Sequence, residues 1–165
     1  VAAPEGTAEG RAARYAAMRD IVDKRFAPFA RRIASYRKAR DGIRLLGTSG
    51  TVTTLASLHL ELPQYDRRAV DGLIVPSASM RNISTRLSTM SEAERGTLPC
   101  IGDDRANLVI AGCAILESIL DIWPATQLGV ADRGIREGIL RSLIAADAEG
   151  ERSRATVQRM REQDV

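Results

Sequence analysis

Ile43-Arg44-Leu45-Leu46-Gly47-Thr48-Ser49-Gly50-Thr51 runs directly into Val52-Thr53-Thr54-Leu55-Ala56-Ser57-Leu58. Residues 43–46 form a short apolar run that reads as a buried strand. Residues 52–58 read as a helix. Two glycines and three hydroxyls therefore stand at a strand-to-helix turn. Glycine permits positive φ and close approach of a ligand. The helix that follows offers unpaired N–H groups and the positive end of its dipole. Such a turn can cradle a phosphate or a sugar hydroxyl through Gly47, Thr48, Ser49, Gly50 and Thr51. It matches neither the Walker lysine loop nor the dinucleotide glycine pattern. An ordinary tight turn, with Ser49 or Thr51 as helix N-cap, is the alternative.

Working outward, residues 8–40 carry a helical stripe. Tyr15, Val22, Phe29 and Tyr36 recur every seven residues, with Met18, Phe26 and Ile33 on the same face. Pro28 predicts a kink or break near Arg25–Ala27, and Asp41-Gly42 a stop. Downstream, 69–75 reads as an extended segment, and Ser77 as the N-cap of a helix through Met80, Ile83 and Leu87. Ser91-Glu92-Ala93-Glu94 is a capping box. Residues 104–122 form the most apolar helix, ended by Trp123-Pro124. Gln127–Ala131 reads as a second buried strand. Asp132-Arg133-Gly134 then turns into a final core helix, 135–146, and residues 147–165 form a charged tail or peripheral helix.

The chain has 165 residues, 44% apolar and 27% charged, with a net charge of +3, which is enough for one domain with a real core. Only 4% are aromatic, so the core is aliphatic. The charges are nearly balanced and lack the clustered basic and aromatic pattern of a nucleic-acid module. Cys100 and Cys113 form neither a CxxC pair nor a metal spacing and suit a reducing, cytoplasmic setting. No apolar run reaches the length of a membrane span. His59 reads as a helix-end residue without a catalytic partner. Residues 1–7 read as a disordered lead-in, and a start at Val1 suggests a portion of a longer protein.

The expected fold class is α/β, helix-rich and poor in strands. Two or three strands cannot bury the apolar faces of so many helices. Strands outside this chain are expected to complete the sheet, and the 8–40 stripe is a candidate contact surface for them.

A second constellation repeats the theme. Asp132-Arg133-Gly134-Ile135-Arg136-Glu137-Gly138 again leads a strand through an acid and a glycine into a helix. Asp132 could cap that helix or hold a water on a metal. Arg136 could reach an anion or pair with Glu137 as a structural brace.

These residues resemble the Ppx/GppA family of exopolyphosphatases and guanosine pentaphosphate phosphatases. The matches are the Gly-x-Ser-Gly-Thr turn at Gly47–Thr51, Val70-Asp71-Gly72, Glu94-Arg95, Arg105 followed by Gly112–Leu116, and Asp132–Gly138. They lie in order from about Ile43 to Ile144. The resemblance implies the back half of a ribonuclease-H-like, actin-like ATPase superfamily domain over 8–146, with a mostly helical insertion at about 62–125. It implies hydrolysis of terminal phosphoanhydrides of polyphosphate or guanosine pentaphosphate with Mg²⁺. It also implies ligand contacts at Gly47–Thr51, Arg105, Asp132, Gly134, Arg136 and Glu137. The glycine-rich phosphate loops and the catalytic carboxylate of the family are absent from this chain. It is therefore expected to be inactive alone, with the base in a missing N-terminal half, and a homodimer is possible. Arg95 is a further cleft candidate, with a helix-end salt bridge as its structural alternative. The rival expectations are a non-catalytic binding or regulatory domain of the same fold, and a sugar or acetate kinase of the same superfamily.

Overall fold

The computed structural model describes residues 6–38 and 44–163. Its first unit, ending at Asp132, is built on a three-stranded sheet. Strand β1 (Leu45–Gly47) pairs in parallel with β3 (Gln127–Val130), placing Leu46 opposite Gly129. Strand β2 (Ile74–Pro76) pairs with the other edge of β3, antiparallel, so the order is β1-β3-β2. A parallel pair needs a long crossover, and residues 48–126 supply it with helices.

Those helices cover one face of the sheet. They are α2 (Gly50–His59), α4 (Ser77–Thr89) and α7 (Leu108–Ile122), joined by the short α3 (Arg67–Val70), α5 (Glu92–Gly96) and α6 (Asp103–Ala106). Leu55, Ala56, Val75, Met80, Leu87, Cys113, Ala114, Leu120, Leu128 and Val130 form the core. Helix α1 (Ala8–Lys38) lies across α7 and α4, with Tyr15 buried and Met18, Val22 and Phe26 half-buried. Arg19 ties it to Glu117 at 2.8 Å and to Asp121, which Arg81 also holds at 2.7 Å. The second unit, from Arg133, contains one helix, α8 (Ile135–Gln163).

Several expectations change. Helix α1 continues through Pro28 without a break. Phe29, one residue on, packs edge-on against Trp123 with centroids 5.5 Å apart, and this contact anchors the chain where one backbone hydrogen bond is lost. The upper part of the α1 stripe, from Tyr15 to Phe26, packs on α7 and α4 and needs no absent strand to cover it. The 69–75 segment is divided: Ala69 and Val70 end α3, and only Ile74 onward is strand. Ser77 is the first residue of α4, not its cap, because Pro76 occupies that position. The 104–122 helix is interrupted at Asn107. Helix α8 runs unbroken past residue 146, and its apolar residues Ile135, Ile139, Leu140, Leu143 and Ile144 are exposed. Asp41-Gly42, Ile43 and most of the 1–7 lead-in lie outside the described residues, as does the side chain of Tyr36. No described helix is long and apolar enough to cross a membrane.

The capping box forms as the sequence spacing requires. Ser91 Oγ accepts from the Glu94 N–H at 3.2 Å, and Glu94 Oε2 accepts from the Ser91 N–H at 2.6 Å. The backbone N–H of Ser91, followed by its hydroxyl, holds the Glu94 carboxyl below its usual 4.5. A depressed folded value means that this contribution is present above the unfolded pKa and is lost as pH falls through the folded one. Ser91→Ala is expected to raise the Glu94 pKa toward 4.5, as measured by NMR titration. An unmoved titration would show that the backbone N–H alone sets it.

Candidate functional site

The turn after β1 is built locally. Gly47 is required because a Cβ there would lie 2.7 Å from the Val52 methyls. Ser49 caps α2, its Oγ accepting from the Val52 N–H at 3.4 Å, and Thr53 Oγ1 donates to the Gly50 carbonyl at 3.1 Å. None of Gly47, Gly50 and Gly134 takes a positive φ. Gly72 and Gly102 do. Gly47 therefore serves close approach, not backbone reversal, whereas Gly50 and Gly134 have room for a Cβ.

Gly50 faces an open pocket of about 340 Å³, lined by Thr53, Tyr65, Cys100, Ile101, Arg105 and Asp132 as well as by Gly50 itself. Arg105 is carried by α6, and its guanidinium stands 3.8 Å from where a Gly50 Cβ would be. Among the described residues that guanidinium has no hydrogen-bond or ion-pair partner. The pocket thus combines an exposed cation with the N-terminus of a ten-residue helix.

Asp132 stands on the same wall, but its carboxylate is occupied. Tyr65 Oη donates to Oδ2 at 2.7 Å and Arg67 Nε reaches the same oxygen at 3.1 Å. Arg67 also donates to the Asp132 carbonyl, and Asp71 Oδ1 accepts from the Asp132 N–H at 3.1 Å. Partial burial, then the bond to Asp132 and its charge, push the Tyr65 phenol up to about 12.

The sequence-derived residues divide. Gly50, Arg105 and Asp132 share the Arg105 pocket. Gly47, Thr48, Ser49 and Thr51 line a separate apolar cavity of about 340 Å³ beside β1, with Leu46, Ile115 and Ile119. Gly134, Arg136 and Glu137 belong to the second unit. There Glu137 Oε2 accepts from the Gly134 N–H at 2.8 Å, closing the start of α8 from within, while Arg136 is exposed. Asp132 is engaged by Tyr65 and Arg67, so its carboxylate does not serve as a free cap. Arg95 is buried and donates to the carbonyls of Ala106, Leu87 and Met90, so it faces no cleft, and it makes no helix-end salt bridge among the described residues.

Thr53, Tyr65, Cys100 and Ile101 were not legible as site residues. Thr53 alone left a signal, lying one helical turn after Gly50. No three acidic, His or Cys side chains converge among the described residues. With Asp132 already paired, these residues do not fit a resident Mg²⁺.

The model of the Ppx/GppA phosphatase family matches residues 10–146. Exopolyphosphatase 2 from two strains of Mycobacterium tuberculosis is 30% identical over 129 residues, covering 76% of this chain and 39% of the relative. The chain therefore spans about two fifths of the length of these curated relatives. A crystal structure of the Aquifex aeolicus Ppx/GppA family member aligns with a TM-score of 0.61 and 28% identity, over 75% of this chain and 40% of that one. An exopolyphosphatase from Cytophaga hutchinsonii aligns with a TM-score of 0.68, over 81% of this chain and 42% of that one. At 18% identity it supports the fold alone. The helix-rich α/β arrangement is that of the family's actin-like domains. The chain belongs to the Ppx/GppA phosphatase family.

Proposed function

We propose that this chain forms one wall of an anion cleft in a phosphatase that hydrolyses terminal phosphoanhydride bonds of polyphosphate or guanosine pentaphosphate. The observation that carries this reading is the Arg105 guanidinium beside Gly50, at the N-terminus of α2, without a partner among the described residues. A guanidinium there would pair with non-bridging phosphate oxygens and offset the charge that develops as the terminal group leaves. The other requirements are an in-line water, a base to take its proton and a metal ion to offset developing charge. Asp132, the carboxylate that lines the pocket, is paired with Arg67. The base and the Mg²⁺ ligands are therefore assigned to polypeptide outside this chain, in line with its coverage of 39% of its relatives.

Calorimetric titration with tripolyphosphate, and phosphate release from long-chain polyphosphate with Mg²⁺, test this. Arg105→Ala is expected to weaken binding about 10-fold, the cost of one charged hydrogen bond of roughly 1.5 kcal/mol. Gly50→Asp should weaken it in the same direction by placing an anion at the helix start. The chain alone should release no phosphate above background, and release should appear when the upstream half is supplied. Turnover by the chain alone would overturn the divided-site reading. Binding without turnover, even with both halves, would favour a non-catalytic binding domain. Absence of binding would remove the anion site itself.

A further inference from the structure

The Arg105 pocket holds two opposite charges, and its preference for anions depends on which of them faces a ligand. A bare Asp132 carboxylate on the same wall would cancel Arg105 and repel phosphate. Two donors from separate elements instead converge on one oxygen of that carboxylate. They are Tyr65, from the 62–66 loop, at 2.7 Å, and Arg67, from α3, at 3.1 Å. Arg67 grips the Asp132 carbonyl as well, and Asp71 holds its N–H, so main chain and side chain are fixed together. These partners lie more than sixty residues away in sequence. We propose that Tyr65 and Arg67 are positioning residues that neutralise Asp132 and thereby make the Arg105 pocket selective for anions. This rests on the reading of the pocket as an anion site.

The Tyr65 phenol is held protonated well above neutral pH and so remains a donor. Arg67 and Asp132 are both partly exposed, with 53% and 34% of their side chains accessible, so screening limits the effect to a several-fold change.

A thiol already in the pocket reads its charge without any ligand. Cys100 is half-buried on the wall, whereas Cys113 is fully buried and its thiol is pushed up to about 11 by that burial. Cys100 is thus the thiol that reacts in the native protein. Its rates with a dianionic nitrobenzoate disulfide and with a neutral dipyridyl disulfide are compared as a ratio. The neutral reagent corrects for any change in access. Arg67→Gln is expected to lower the anionic-to-neutral ratio about 3- to 10-fold, and Tyr65→Phe to lower it less. Adding Asp132→Asn to Arg67→Gln should return the ratio to the wild-type value.

An unchanged ratio in Arg67→Gln would overturn the proposal. So would a fall that Asp132→Asn does not reverse, because Asp132 would then not be its source. With tripolyphosphate as the second probe, Asp132→Asn alone should tighten binding a few-fold. Loss of binding in that variant would make Asp132 a ligand contact and sink the proposal. If the wild-type chain does not bind tripolyphosphate, the functional reading fails, while the thiol ratio still decides the role of Tyr65 and Arg67.

Discussion

Arg95→Ala is expected to lower the unfolding free energy by about 3 kcal/mol, read as a lower urea midpoint at unchanged slope. Arg95 is only 7% exposed, and its guanidinium donates to Ala106 O at 2.7 Å, to Leu87 O at 3.4 Å and to Met90 O. It joins the C-terminal end of α4 to the end of α6 at a place where the helix carbonyls have no further turn to bond. Burial pulls its pKa down, because the cation is taken out of water there. Truncation removes a charged donor from all three carbonyls and leaves a void. Arg95→Lys should recover only part of the loss, because one ammonium cannot reproduce a planar fork spread over two helix ends. Ala106 follows Arg105, so the same change should weaken tripolyphosphate binding at temperatures where the variant is still folded. A midpoint equal to wild type would show that water replaces the guanidinium at no cost.

Gly112→Val should be nearly as damaging, at about 3 kcal/mol. Gly112 lies within α7, where it passes the first turn of α2. A Cβ at this position would fall onto Thr51 Oγ1 and lie 2.8 Å from the Thr51 Cβ and Cγ2. In an open helix interior, glycine to alanine gains about 1 kcal/mol of helix propensity. Here the collision outweighs that gain, so even Gly112→Ala should destabilise. Thr51→Ala removes two of the three clashing atoms and should restore at least about 1 kcal/mol in the double variant, a clear departure from additivity. Thermal unfolding of the four proteins in the cycle checks this. Strict additivity would place the damage somewhere other than the contact between α7 and α2. The turn at Gly47–Thr51 is thus held from two sides, by Val52 against Gly47 and by Gly112 under Thr51.

Features of this protein set by neighbours in the chain were legible from sequence. Ser49 caps α2 through Val52, Ser91 and Glu94 close their box, and the strand-to-helix turn forms where the glycines and hydroxyls place it. Each depends on groups about three residues apart, whose geometry follows from helical spacing alone. The family motifs were legible for a related reason, since they are short and occur in order. Partners far apart in sequence were not. Nothing local states that Tyr65 and Arg67 will meet Asp132, that Arg95 will find the Ala106 carbonyl, or that Thr51 will sit over Gly112. The same limit explains the divided turn. Gly50 opens toward Arg105 while Gly47, Thr48, Ser49 and Thr51 line the apolar cavity beside β1, a division that no local spacing states. Neighbours along the chain fix which residues make the turn. Which of them faces the cation depends on how α6 and α7 pack around the start of α2, and no local spacing carries that.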